Sequence, residues 1–293
     1  MLKMLSRLFG SQRHAIALGS DQNRVVIIHN HLFKNAGSTV DWALKKNFGR
    51  GFVDHRDDVS MRKGAEYLAP YINEHPYIHA VSSHHLKLPL PELEDTLLFH
   101  LMMFRHPIER VSSVYNYERK QVNSSTPGSI HARKLNLKDY ILWRMEPGVG
   151  YTIRNFHIVH SISPRKANRK PVSEEELQMA VKAVKATPLL GLVERFDESM
   201  VLFEETLRCY FPSIDLSYKI QNINQDKKVS REERIAKLRS EVGDETFQLL
   251  LDENEKDLKL YECVLEEFHK RIMNTPDMSS KLKDFQARCA DKY

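Results

Sequence analysis

The order strand, tight turn, helix near the amino end constrains this chain more than any other feature. Arg24 to His29 (RVVIIH) is a short β-branched run suited to a pleated strand. Lys34 to Thr39 (KNAGST) follows as a small-residue turn, and Val40, Ala43, Leu44 and Phe48 then recur at helical spacing. Tyr77 to Val81 (YIHAV), Leu97 to Phe104 (LLFHLMMF) and Leu189 to Val193 (LLGLV) read as further buried strands, with helices between them. Pro107 suits a first helical position, with Ile108, Val111, Val114 and Tyr115 as the apolar stripe behind it. Ser173 with Glu176 forms a capping box for a helix that runs to about Thr187, and Asp197 is placed to cap the next, through Phe211. Strands alternating with helices predict a parallel sheet covered on both faces, hence an α/β fold.

From Ser230 onward the pattern is almost wholly helical and ends in the amphipathic stretch Glu255 to Met273. Asn123 to Ala132 and Ser163 to Pro171 read as exposed loops rather than domain linkers. The expected organisation is a flexible or weakly amphipathic lead-in over residues 1–23, one domain over 24–273, and a C-terminal tail over 274–293.

Composition narrows the classes of function. At 293 residues and 41% hydrophobic, the chain can bury a substantial core. Lys and Arg exceed Asp and Glu by 44 to 39, a modest excess that suits an anionic ligand but lacks the concentrated basic stripe of a nucleic-acid binder. The three cysteines, Cys209, Cys263 and Cys289, make neither a disulfide framework nor a CxxC metal pair, so a reducing compartment is expected. No run approaches the roughly 20 apolar residues of a membrane span. The opening MLKMLSRLFGSQRH is too short and broken in its apolar part for a secretory signal, leaving a frayed lead-in or a membrane-surface anchor as its two readings. The expected location is the cytoplasm, with peripheral attachment to a membrane through that segment as the alternative.

The turn after the first strand has the chemistry of a phosphate loop. Small residues let backbone N–H groups close on an anion while the helix N-terminus adds partial positive charge. Lys34 supplies a full charge, and Ser38 and Thr39 supply hydroxyl donors. A loop that merely connects is the alternative. The order excludes a Walker A loop, in which Lys directly precedes Ser or Thr, because here Lys34 comes three residues before Gly37. A kinase or ATPase would also need a magnesium-holding acid at a strand end, and none of the expected strands ends in Asp.

The run His31-Leu32-Phe33-Lys34-Asn35-Ala36-Gly37-Ser38-Thr39 resembles the HxPK(T/S)(A/G)G(T/S)(T/S) donor loop of the carbohydrate sulfotransferases, which include the heparan sulfate 2-O and 6-O enzymes and bacterial relatives. Phe33 stands where that motif has Pro. Arg105 to Tyr115 (RHPIERVSSVY) resembles the same family's 3′-phosphate motif, R(D/N)PxxRxxSxY, at Arg105, Pro107, Arg110, Ser113 and Tyr115, with His106 as a departure. Gly191 to Ser199 (GLVERFDES) is a weaker echo of a late strand and helix of that core.

The resemblance spans Val25 to Met273 and implies a P-loop-like nucleotide-binding fold. It also implies the co-substrate 3′-phosphoadenosine 5′-phosphosulfate and transfer of its sulfuryl group to a hydroxyl acceptor on a glycan. Lys34, Asn35, Ala36, Gly37, Ser38 and Thr39 would hold the 5′-phosphosulfate, and Arg105 and Ser113 the 3′-phosphate. The residue chemistry agrees: Arg105 at a strand end offers a forked, charge-assisted contact, and Ser113, two helical turns on from Pro107, adds a hydroxyl. For Arg110 two readings stay open, a phosphate contact or a structural ion pair with Glu109 or a later acid.

Sulfuryl transfer is an in-line displacement in which the acceptor hydroxyl loses a proton while the leaving phosphate gains charge. Lys34 fits the cation at the bridging oxygen, and no metal is required. Ser83-His84-His85-Leu86 follows the second expected strand, where the carboxyl edge of a sheet would present a base. Register with the family's Gly-His-apolar-Pro-apolar stretch makes His85 the first candidate base and His84 the second. His31 is expected to pack beneath the loop. Lys227 and Lys228, and separately Arg165, Lys166, Arg169 and Lys170, either approach the ligands or are solvated surface. Two other functions compete: a catalytically inactive nucleotide-binding module, and a nucleotide kinase of related fold.

Overall fold

The apolar runs pair into one sheet of five parallel strands, β1 (Arg24–Asn30), β2 (Phe52–Asp54), β3 (Ala80–Ser83), β4 (Thr96–Phe104) and β5 (Leu189–Leu192), in the order β2-β3-β1-β4-β5. The structure, a computed structural model, describes residues 24–162, 171–219 and 229–291. The expectations for residues 1–23, for Arg165, Lys166, Arg169 and Lys170, and for Lys227 and Lys228 lie outside the described residues.

Parallel strands cannot be joined by tight hairpins, so the chain crosses the sheet faces, chiefly through helices. α1 (Gly37–Phe48) links β1 to β2, while α2 (Asp58–Met61) and α3 (Ala65–Glu74) lead from β2 to β3. Between β4 and β5 run α4 (Pro107–Lys120), α5 (Pro127–Lys134), α6 (Leu137–Met145), α7 (Phe156–Ser161) and α8 (Glu174–Ala186). Beyond β5 come α9 (Phe196–Leu207), α10 (Arg231–Val242), α11 (Asp244–Asp252), α12 (Glu255–Met273) and α13 (Met278–Ala290). Among the described residues no helix is long and apolar enough to cross a membrane.

Successive side chains of β1 serve opposite cores, as a pleated strand buried on both faces must. Val25 and Ile27 join Val40, Leu44, Phe104 and Phe203 on one face, while Val26 and Ile28 join Leu68, Ile72 and Val81 on the other. A third cluster, including Val114, Tyr140, Leu238 and Leu250, ties α4 to α6, α10 and α11. Each fully buried aliphatic side chain contributes about 1.5–3 kcal/mol, so the helical part beyond the sheet has a core of its own.

Several local expectations shift. β3 begins at Ala80, and Tyr77 lies exposed before it, while the three-residue edge strand β2 is too short to read from a pattern. The capping box of Ser173 and Glu176 forms on α8, and Ser230 with Glu233 makes a second on α10. Asp197 lies in the first turn of α9 rather than at its cap, which is Arg195. Asn123 to Ala132 is not all loop: Thr126 accepts from the Ser129 N–H, Pro127 takes the first helical position, and α5 follows.

The sequence pattern reads residues 274–293 as a tail. Within them α13 packs on α9 and inserts Phe285, fully buried, into the main core beside Tyr218. Phe285→Ala is therefore expected to lower the unfolding free energy of the full chain by about 3–5 kcal/mol. Denaturant unfolding checks this, and an unchanged midpoint would return the segment to the status of a tail.

Candidate functional site

The strand order fixes where this sheet opens a crevice. From β1 the chain moves to β2 at one edge and back to β3, then crosses to β4 on the other side of β1. Direction thus reverses between β1 and β4, and open parallel sheets bind ligands in the crevice beyond the carboxyl ends at such a point. At these two ends stand the turn 31–36 and the turn Arg105-His106. They touch: Arg105 Nη1 lies 3.5 Å from the Lys34 carbonyl oxygen, and Arg110 Nη1 donates to the Phe33 carbonyl at 3.2 Å.

The turn holds two non-glycine residues in the left-handed region, Lys34 (φ 64°) and Ala36 (φ 60°). Each such residue costs on the order of 1–3 kcal/mol and persists only where the surroundings over-determine it. Ala36 caps α1 without any side-chain hydrogen bond, and the first turn of α1 carries no acidic residue, so its positive end is not neutralised locally. Gly37 is required sterically, because a Cβ there would overlap the His31 ring packed beneath the loop.

Ser38 is exposed and Thr39 half-buried at the start of α1, and Ser113 is half-buried on α4. Asn35 is different. Its side chain is buried and turned inward, with Nδ2 donating to the Met103 carbonyl at 2.7 Å and facing His157 Nε2 at 2.9 Å.

Lys34 rests with Nζ 4.3 Å above the ring of Tyr117, which is 41% exposed and meets Phe33 edge-on. Burial lowers the Lys34 pKa, and Arg105 and Lys120 lower it further. Tyr117 falls beyond the motif residues, and its exposed place on an otherwise ordinary helix gave no sequence signal. Arg110 does not form the ion pair with Glu109, which pairs with Arg234 instead. Arg110 is fully buried, bonds the carbonyls of Phe33 and Thr152, lies 3.8 Å from the Phe156 ring centroid, and is pushed down by burial to about 9. His106 donates its backbone N–H to Glu194 at 2.7 Å, which brings the late Gly191 to Ser199 segment to the site, and Glu109 pairs with Arg234 at 2.5 Å.

The two histidines after β3 face different ways. His84 has Nδ1 2.7 Å from the His31 carbonyl oxygen and its ring 4.0 Å from the His31 ring. A carbonyl only accepts, so the hydrogen sits on Nδ1 and Nε2 keeps a lone pair. Burial, with His31 beside it, lowers the His84 pKa and favours this neutral form. His85 instead turns to α2, with Nε2 2.9 Å from Asp58 and Nδ1 3.2 Å from Arg62, so both ring nitrogens are engaged.

Under the loop, Asp41 of α1 bridges His29 and His31 through Nδ1 contacts of 2.7 and 2.8 Å. Burial works against the Asp41 carboxylate, yet the two imidazoles hold its pKa far below the usual range. These three side chains are the one grouping with metal-ligand atoms within 4.8 Å of one another among the described residues. Each carboxylate oxygen faces one Nδ1, and the Ser82 hydroxyl lies 3.1 and 3.5 Å from the same two nitrogens, so the four side chains form one hydrogen-bonded floor for the loop.

The steric fit of His31 and Gly37 carries a test by double-mutant cycle. Gly37→Ala is expected to destabilise the chain by about 1–3 kcal/mol, and less in a His31→Ala background where the overlap is gone. Urea unfolding of the four proteins measures the coupling, and strict additivity would refute the contact.

No family model matches the chain. An uncharacterized protein of Archaeoglobus fulgidus is 36% identical to it over 251 residues, spanning 83% of this chain and 97% of the archaeal one. Identity of that extent, over nearly the whole archaeal protein, makes the chain a member of the same family as that protein.

Proposed function

We propose that this chain is a sulfotransferase with a P-loop-like nucleotide-binding fold, moving the sulfuryl group of 3′-phosphoadenosine 5′-phosphosulfate to a hydroxyl of a carbohydrate acceptor. One observation carries the reading: two basic strand-to-helix turns, headed by Lys34 and Arg105, meet at the point where the strand order reverses. Two adjacent cationic turns suit a donor with phosphates on both ends of its ribose. The backbone and hydroxyls of 36–39, with Lys34, hold the 5′-phosphosulfate, while Arg105 and Ser113 take the 3′-phosphate.

In the reaction the acceptor oxygen attacks sulfur in line with the departing phosphate oxygen. The acceptor proton passes to His84 Nε2, the new O–S bond forms, and the S–O bond to phosphate breaks with its electron pair leaving on adenosine 3′,5′-bisphosphate. Lys34 stands as the cation for the charge that grows on that bridging oxygen. His84 replaces His85 as the preferred base because its Nε2 keeps the lone pair that His85 commits to its contacts with Asp58 and Arg62.

Thermal unfolding with ligand tests the donor. Adenosine 3′,5′-bisphosphate at 100 times its Kd is expected to stabilise the chain by about 2.7 kcal/mol, with no comparable effect of ATP and magnesium. Stabilisation by ATP and magnesium alone would mean a kinase-like site.

Radiolabelled donor offered to a glycan panel then reads transfer. His84→Gln and Lys34→Ala are expected to lose at least about a hundredfold in kcat, with His85→Gln far less affected. A bisphosphate-binding protein that labels no acceptor would be the inactive module instead. Because His84 acts in its neutral form and its pKa is lowered, kcat/KM should rise with pH to a plateau whose midpoint lies below the ordinary imidazole value of about 6.5. A midpoint above that value would exclude His84 as the base.

A further inference from the structure

We infer that His157 and Asp257, neither of them near the crevice in sequence, are positioning residues that hold the donor loop in shape through the buried side chain of Asn35. The evidence is a continuous set of hydrogen bonds whose directions are fixed. Asn35 Nδ2 lies 2.7 Å from the Met103 carbonyl oxygen, which only accepts, so the amide must present its NH2 there. The second hydrogen of that NH2 points to His157 Nε2 at 2.9 Å, which must therefore carry a lone pair. The imidazole hydrogen then sits on Nδ1 and is donated to Asp257 Oδ2 at 3.1 Å.

Asp257 is itself immobilised. Its carboxylate accepts the backbone N–H groups of His157 at 2.8 Å and Ile158 at 2.9 Å, and its own N–H donates to Asn155 Oδ1 at 3.0 Å. Asn254, one turn earlier, returns the exchange by accepting from the Asn155 N–H and donating to the Ile153 carbonyl. The start of α12 and the start of α7 thus cap one another, and His157 projects from this frame onto the loop.

The load falls where the loop is strained. Asn35 is the residue between Lys34 and Ala36, both left-handed. Its Oδ1 is buried without a hydrogen-bond partner, an unfavourable orientation that persists because both donors are satisfied on the other side. Fixing Asn35 fixes the direction in which Lys34 leaves the loop and the aim of the N–H groups that follow. Positioning here serves the donor binding proposed above, but the contact itself does not depend on which anion is bound.

The set has a definite weak point. A second proton on His157 would turn Nε2 into a donor facing the Asn35 NH2, and one of the two amide bonds must then be lost. Burial lowers the His157 pKa and Arg110 of α4 lowers it further, while Asp257 from α12 favours the protonated ring; His106 at the start of α4 and His160 on its own helix are the other titratable groups beside it.

Backbone hydrogen exchange of residues 32–38, expressed as protection relative to the unfolded chain, tests the inference in the full-length protein without any ligand. His157→Leu is expected to lower that protection by about tenfold. His157→Gln, whose side-chain oxygen can accept from Asn35 but does not titrate, is expected to retain it. In the wild type the protection should fall on acidification, and in His157→Gln that acid limb should vanish. Should the Leu variant fail to fold, the Gln variant decides alone. An acid limb that survives in His157→Gln, or full protection in a folded His157→Leu, overturns the inference. Where the bisphosphate binds, His157→Leu should also lose about a hundredfold in kcat and Gln much less. A wild type that binds no bisphosphate defeats the sulfotransferase reading and leaves the exchange result to judge the positioning.

Discussion

The parallel pairing of β1 with β4 is the contact on which the remainder depends. It runs the full length of β1, from Arg24 opposite Thr96 to Asn30 opposite Met102. Because the two strands point the same way and finish nearly level, the loops that follow them must start side by side. A slip of one residue would exchange Val25 and Ile27 with Val26 and Ile28 between the two cores and would separate Arg105 from Lys34. The hydrophobic pattern of the strands and the meeting of the two basic turns are thus a single constraint.

That meeting leaves cations in excess. Lys34 is depressed by burial, Arg105 and Lys120, while Arg110 is depressed by burial and by Arg105, against the opposing pull of Asp257. Glu109 and Glu194 likewise offset part of this at Arg105, while Glu109 also pairs with Arg234 and Glu194 accepts the His106 backbone N–H. An anion between the turns would relieve the repulsion between Lys34 and Arg105 as well as gain attraction. Arg110, without a bonded carboxylate, donates one hydrogen from each terminal nitrogen to a carbonyl and lays its flat face on Phe156, while its Nε–H is left buried without a partner.

The α/β architecture was legible because it rests on local signals: β-branched runs, Pro107 opening a helix, and the capping box at Ser173. The Lys34 loop and Arg105 were legible for a related reason, since a strand-to-helix turn carries its chemistry in consecutive residues. Tertiary choices were not. Whether His84 or His85 faces the loop is decided by one residue of phase after β3, and the register of the resembled sulfotransferase motif points to His85, which turns instead to Asp58. The role of residues 274–293 escaped for another reason: α13 has a polar surface and one deep anchor, Phe285, which reads as a tail until its partner helix is known. Asn35 looked like one more small polar residue of a phosphate loop, and only its burial reveals that its side chain faces the other way.

This inward turn of Asn35 alters what counts as the site. A phosphate loop with glycine at its strained positions can adopt its shape at little cost, and its neighbours need only leave room. Here the strained positions are Lys34 and Ala36, which do not favour that shape, so the loop must be held from outside. The holding groups come from α7 and α12, far along the chain, and α12 itself packs against α8 and the sheet through Leu260, Val264 and Phe268. The C-terminal helices are therefore structural members of the turn after β1. The separation between a sheet domain and a helical appendage therefore has no physical basis here, because the geometry of residues 34–36 is held, through Asn35 and His157, by a carboxylate more than two hundred positions away.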